Sequence, residues 1–121
     1  FAQDSCGAGK YRGGLGLDLE FEMLEETFVT TVVERTKFAP WGINNGESAR
    51  ANNVILKSNN KKINVPKKTG LKLHKGDTVI FQTGGGGGYG KASERSKSKI
   101  LNDLKQGYIS EGYTKKYYPQ L

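Results

Sequence analysis

The sequence predicts a mainly β fold, an antiparallel sandwich or barrel of about six short strands, followed by a short two-helix C-terminal tail. Three observations carry this. Apolar and acidic residues alternate over 15–23, clusters of Asn and Gly punctuate short β-branched runs, and the apolar period switches to helical spacing after residue 96.

Residues 1–14, "FAQDSCGAGKYRGG", hold four glycines and no periodicity, so they read as a loop leading into the first strand, joined to something upstream. "LGLDLEFEML" then sets Leu15, Leu17, Leu19, Phe21 and Met23 on one face and Asp18, Glu20 and Glu22 on the other, the pattern of a half-buried strand with a wet side. Past the polar corner at Glu25 and Glu26, "TFVTTVVER" is dense in β-branched residues and is expected to close a hairpin with the strand before it. "APWGINNGESARANN", residues 39–53, has the composition of a long exposed loop, of the kind that is functional or disordered. Further strands are expected over 53–57, 61–65, 70–73 and 77–82, with "KSNNKK" and "LHKGD" as turns in which Asn and Gly accept positive φ. Ser96 is placed to cap a helix over 97–106 with Ile100, Leu101 and Leu104 on one stripe, and Gly107 to stop it. Ser110 is placed to cap a second helix ending before Pro119. The chain thus divides into a β-rich domain with glycine-rich loops over 1–90 and a helical tail over 91–121, the tail packing on the β part or on a partner.

At 121 residues there is room for one modest core. No apolar run approaches the roughly 18 residues that span a bilayer, and mean hydropathy is −0.63. The chain opens at Phe1 with no initiator Met and no signal-peptide layout, which is expected of a fragment or a processed product. A single cysteine, Cys6, forms no internal disulfide, and a reducing cytoplasm fits that usage. Nineteen Lys and Arg against 12 acidic residues give +7. A nucleic-acid footprint needs such charge gathered on one face or interleaved with aromatics. Here it is spread, with local groups only at Lys61, Lys62, Lys67 and Lys68 and over Lys91 to Lys99. A stand-alone basic module for nucleic acid or another anion is therefore the alternative function, and nucleic acid an unlikely partner.

"TGGGGGYGKASERS" poses the sharpest question. Gly85, Gly90 and Lys91 meet the spacing of a phosphate loop, and the pattern then fails at Ala92, which has no hydroxyl for Mg²⁺. The preceding strands alternate in antiparallel fashion, and no apolar strand follows the helix, so the βαβ setting is missing as well. Five successive glycines are costly to order. Directly after a strand and closed by Tyr89, they suggest either a flexible connector or a backbone that approaches a ligand or partner chain closely.

Other candidates are thinner. "CGAGKYRGGLG" lacks the third glycine of a dinucleotide fingerprint. Arg12 among glycines could meet a carboxylate or phosphate in bidentate fashion or be an ordinary surface residue. His74, the one histidine, has no second imidazole or carboxylate cluster to make a metal site or a triad, and Cys6 has no histidine near it in sequence. Trp41, after Pro40, could plug the core or anchor an interface. By these residues alone the chain carries no complete catalytic apparatus.

Three stretches, taken in order, resemble one family. "GAGKYRGGLGL" is similar to the glycine-rich opening of the C-terminal region in the hydantoinase B and 5-oxoprolinase family. "ERTKFAPWGINNG" resembles its next motif, and "LHKGDTVIFQTGGGGGYGKASERSKSKILNDLKQGYIS" its closing segment. The resemblance implies the C-terminal piece of a longer subunit of the ATP-dependent N-methylhydantoinase type, inactive alone. That subunit acts in ATP-dependent hydrolysis of a cyclic amide, a hydantoin or 5-oxoproline, or in a related ketone carboxylation. It implies as partners the upstream part of the same subunit and a hydantoinase A-type subunit that handles ATP. ATP and a divalent metal belong to the full enzyme, none being bound by this fragment. On that view no catalytic or metal residue lies here. The residues expected to line a ligand or subunit contact are Arg12, Gly13, Gly14, Arg35, Trp41, Gly42, Gly84, Gly85, Gly86, Gly87, Gly88, Tyr89, Glu94 and Arg95. Cys6 stands where the family commonly has glycine, and Lys91 where it often has Asp.

Overall fold

Side-chain alternation builds the larger of two sheets. β1 (Asp18–Glu22), β6 (Thr78–Gln82), β3 (Asn53–Ser58) and β4 (Lys61–Asn64) lie side by side in that order, each neighbouring pair antiparallel. Residues opposite one another share a face, so Leu19, Phe81 and Val54 line up, and so do Phe21, Val79, Leu56 and Ile63. β2 (Thr27–Val32) and β5 (Lys67–Leu73) make a separate antiparallel ribbon, bulged near Gly70, which takes φ +60. Between ribbon and sheet, Val54, Leu56, Val65, Leu73 and Val79 form a buried cluster flanked by Met23, Val29 and Phe81. The computed structural model describes all 121 residues, and its antiparallel strands and two C-terminal helices agree with the fold class that the sequence predicts.

Two expectations about the first strand are corrected, one of pairing and one of burial. β1 and β2 do not form a hairpin: the Met23 N–H donates to the Asp77 carbonyl and the Gly76 N–H to the Met23 carbonyl, so β1 keeps its alignment with β6 to its end. The chain then leaves this sheet, and β2 pairs with β5 in the other layer. The apolar face of β1 is also less covered than alternation implies. Leu17, Leu19 and Phe21 are 40%, 43% and 50% exposed, because β1 is an edge strand and the buried cluster lies beneath the centre of the sheet.

A 3₁₀ turn (Ala92–Glu94) leads to α1 (Lys97–Lys105) and α2 (Glu111–Tyr117). Ser110 caps α2 as expected, its Oγ accepting from the Tyr113 N–H at 3.1 Å, and Gly107 takes φ +71 after α1. Ser96 occupies the N-cap of α1 without a side-chain cap bond. The buried stripe of α1 is Ile100 and Asp103 with half-buried Leu104, while Leu101 faces out. The helices pack on the N-terminal glycine stretch, where Cys6 and Ala8 join Ile100, Ile109, Tyr113 and Tyr118 in a second buried cluster. Of 61 backbone–backbone hydrogen bonds, 33 lie outside helices and strands. Irregular backbone pairing therefore holds this fold as much as the ladders do.

Candidate functional site

After β6 the chain runs on through residues 83–90 without a ladder, and successive backbone groups turn to different neighbours. The Gly84 N–H donates to Asn52 Oδ1 at 2.6 Å. The N–H groups of Gly85, Gly86, Gly88, Tyr89 and Gly90 donate to the carbonyls of Ser5, Gly14, Glu47, Tyr11 and Ile43. In return, Gly7, Ile43 and Tyr11 donate to the carbonyls of Gly86, Gly88 and Tyr89. The run is thus the central rod of a bundle walled by residues 5–9, 10–14 and 40–47. A strand in a sheet bonds to two neighbours and leaves two faces for side chains. A rod bonded on three sides has almost nowhere to put one.

That is the physical reason for the glycines. A Cβ on Gly87 would sit 1.9 Å from the Trp41 carbonyl oxygen, and one on Gly88 1.9 Å from that of Ala8. On Gly13 it would meet the Gly86 oxygen at 1.8 Å, and Gly7, Gly42, Gly46 and Gly84 are as tightly placed against other backbone oxygens. Within the bundle Gly14 alone is open, with nothing within 4 Å, while Gly86, at 3.3 Å from the Gly14 nitrogen, is tight without a direct clash. The run is therefore no connector, and the close approach it makes is to the chain's own backbone. The segment 39–53 is likewise no free loop, since it forms one wall of the bundle.

Arg12 and Arg95 meet where the helical tail joins the bundle. Asp103 Oδ2 accepts from Arg12 Nε at 3.0 Å and from Arg95 Nη2 at 2.7 Å. Arg95 and Asp103 are 8% and 3% exposed, and Arg95 also donates to the Lys10 carbonyl at 3.1 Å. Burial works against the charge on Arg12, but the hydrogen bond and charge of Asp103 more than offset it and hold the guanidinium above its ordinary pKa. The carboxylate that Arg12 meets is thus the chain's own, contacted through Nε rather than by a bidentate fork. Sequence reasoning missed Asp103, although an acid at i+3 from Ile100 on an otherwise apolar stripe is a readable signal.

The remaining expected residues lie around the bundle. Glu94 pairs with Lys10 at 3.2 Å on the surface. Trp41 is 66% exposed, so it plugs no core, and its ring lies 5.3 Å beneath the Arg35 guanidinium, with Arg35 at φ +53. Tyr89 accepts from Asn44 Nδ2 at 2.7 Å through its hydroxyl, and bridges to both Tyr11 and Ile43. All three side chains are about half exposed, an apolar ridge on the bundle that sequence reasoning did not assemble.

This arrangement can hold and orient, and it carries no matched nucleophile and base. Burial raises the Cys6 thiol above its usual pKa, against the lowering by the Tyr113 hydroxyl and Arg12, and keeps it a thiol near neutrality. His74 is exposed in a turn, where its backbone N–H donates to Asp77 at 2.9 Å. Four lysines, Lys10, Lys57, Lys67 and Lys72, pair with glutamates on the surface. Clefts of about 640 Å³, at Lys57, Lys61 and Lys62, and of about 580 Å³, at Leu104, Tyr118 and Leu121, are lined by none of the expected site residues. The residues present do not fit a nucleotide or a metal ion. Four of the five N–H groups in the glycine run are bonded within the chain, Ala92 offers no hydroxyl, and no three His, Cys, Asp or Glu side chains converge.

A glycine bundle braced by two antiparallel β-layers and closed by a helical tail defines a mainly β domain whose irregular half is packed backbone on backbone. The hydantoinase B/oxoprolinase model matches residues 1–92, and the chain belongs to that family. It is similar to an uncharacterized protein of Methanocaldococcus jannaschii, 44% identical over 108 residues, and to caprolactamase subunit beta of Pseudomonas jessenii, 30% identical over 117 residues. These alignments cover 89% and 88% of this chain and 19% of each relative. The chain therefore spans about a fifth of the length of these two relatives. The crystal structure of ATP-dependent caprolactamase from Pseudomonas jessenii superposes with a TM-score of 0.83 at 26% identity, over 93% of this chain and 21% of that one.

Proposed function

We propose that these residues form a domain of a hydantoinase B-type subunit that takes part in ATP-dependent hydrolysis of a cyclic amide, of the hydantoin or 5-oxoproline type, and that is inactive alone. The observation that carries this reading is the shared sequence and fold with caprolactamase over nine-tenths of the chain. The site supports it, because the three stretches that resemble the family converge on one glycine bundle with no complete catalytic set of its own. ATP and a divalent metal then act elsewhere in the enzyme, in the upstream part of the subunit and in a hydantoinase A-type partner. The domain's share is to hold the surfaces against which those parts close. A reducing cytoplasm suits a buried thiol with no disulfide partner.

The test is reconstitution of the native polypeptide carrying these residues with its copurifying partner, followed by assay of ring opening of hydantoin, 5-oxoproline and caprolactam with and without ATP. ATP-dependent opening of at least one ring is expected. Residues 1–121 alone hydrolyse no ATP, and Lys91→Ala, at an exposed position, leaves the rate of the full enzyme within about twofold. A complex that opens no cyclic amide at any ATP concentration sinks the proposal.

A further inference from the structure

The free edge of β1 is built to receive another strand. β1 lies at one side of its sheet with every residue exposed. Leu17 accepts from the Thr83 N–H on the β6 side, and Met23 donates to Asp77 there. Because hydrogen-bonding direction alternates along an antiparallel pair, Leu19 and Phe21 face their backbone groups toward β6, and Asp18, Glu20 and Glu22 turn theirs outward. Three N–H and three C=O groups thus stand unpaired beside a half-exposed apolar pair. The opposite edge, β4, carries Lys61 and Lys62 and runs into Pro66, common guards of a natural edge. β1 has no proline, lysine or bulge.

The surface area points the same way. A compact monomer of 13.3 kDa exposes about 6,450 Å², and this chain exposes 7669 Å². The excess, about 1,200 Å², is more than one partner's share of a standard interface. We infer that the β1 edge takes, by strand addition, an extended segment from the remainder of the longer subunit, with apolar residues against Leu19 and Phe21 alternating with Lys or Arg against Glu20 and Glu22. This rests on the longer-subunit reading above. Charge argues against a second copy as occupant. In an antiparallel register the outward-facing residues meet their own kind, setting Glu22 against Asp18 and Glu20 against Glu20, an acidic row that the Asp18–Arg50 and Glu20–Lys57 pairs offset in part while Glu22 carries no ion pair. A basic alternating strand meets the same row favourably.

The experiment begins with the intact mass of the native polypeptide. A mass near 13.3 kDa would overturn the longer-subunit reading and this inference together. For a longer polypeptide, amide hydrogen exchange is resolved over residues 17–23. The amides of Asp18, Glu20 and Glu22 are expected to exchange within about tenfold of those of Leu19 and Phe21. Exchange as fast as that of the exposed β3–β4 turn would overturn strand addition while leaving the family reading standing. A photo-crosslinking residue at Leu19 then reports the occupant. A link within the polypeptide supports the inference; a link to a second copy, to another polypeptide, or no link overturns it.

Discussion

The sandwich and the glycine bundle solve the same packing problem by opposite means. In the sandwich, Val54, Leu56, Val65, Leu73 and Val79 fill the space between two layers, and stability comes from side-chain burial. In the bundle, four extended segments approach until carbonyls of one lie where another's Cβ would be, and stability comes from backbone hydrogen bonds with almost no side chains between. The first region is sensitive to losing atoms. The second is sensitive to gaining them.

The largest expected effect follows from that contrast. Gly87→Ala and Gly88→Ala each force a methyl group into a backbone carbonyl and are expected to destabilise by more than about 3 kcal/mol, at the severe end of overpacking. Leu73→Ala, a deletion from the sandwich core, is expected to cost about 2–5 kcal/mol. Gly14→Ala, in open space, should shift stability by less than about 0.5 kcal/mol. Urea unfolding of the native polypeptide reads all of these, and a Gly88→Ala protein as stable as Gly14→Ala would refute the bundle packing.

Next comes the clasp that ties the helical tail to the bundle. Asp103→Ala leaves two guanidinium groups with no counter-charge and is expected to cost about 3–5 kcal/mol. Replacing Arg12, Arg95 and Asp103 together by Met, Leu and Leu is expected to cost less than the single change. The comparison separates a charge requirement from a shape requirement.

A smaller test sharpens the contrast within the tail. Ser110→Ala removes a cap bond to Tyr113 and should cost about 1 kcal/mol, while Ser96→Ala removes none and should cost little, by thermal unfolding.

The smallest effect lies in the sandwich. The Asp77 carboxyl is held below its ordinary range chiefly by the His74 backbone N–H, with a further hydrogen bond from Ser58. Ionised Asp77 therefore contributes stability that is fully present above the unfolded carboxylate pKa of about 3.9 and is lost as pH falls through its lower folded value. Urea midpoints measured from pH 6 to pH 3 should show a flatter acid limb in Asp77→Asn than in the parent protein.

The strands were legible because alternation and β-branching report a pleated surface locally, and so were the Asn59–Asn60 turn, with φ of 49° and 59°, and the cap at Ser110. Pairing was not legible. Alternation tells which face a side chain takes and says nothing of which strand lies beside it, so β1 was assigned to β2 when it belongs with β6. The glycine run announced a close approach but not its object, since backbone packed on backbone leaves no pattern in the partner's side chains beyond further glycines. Arg12 read equally as an anion-binding residue or an ordinary surface one, and its carboxylate partner, 91 residues away, could be found only through the fold.

The bundle also sets the order in which the molecule can assemble. Its walls come from the first fifty residues and its central rod from residues 83–90, so none of the backbone hydrogen bonds between rod and walls closes a short loop. Such distant contacts are the slow ones. During synthesis the three walls must wait, without their shared core, until the rod has emerged and the sandwich has carried it back to them. The sandwich is therefore the part expected to fold first, and the glycine bundle the part whose closure sets the refolding rate.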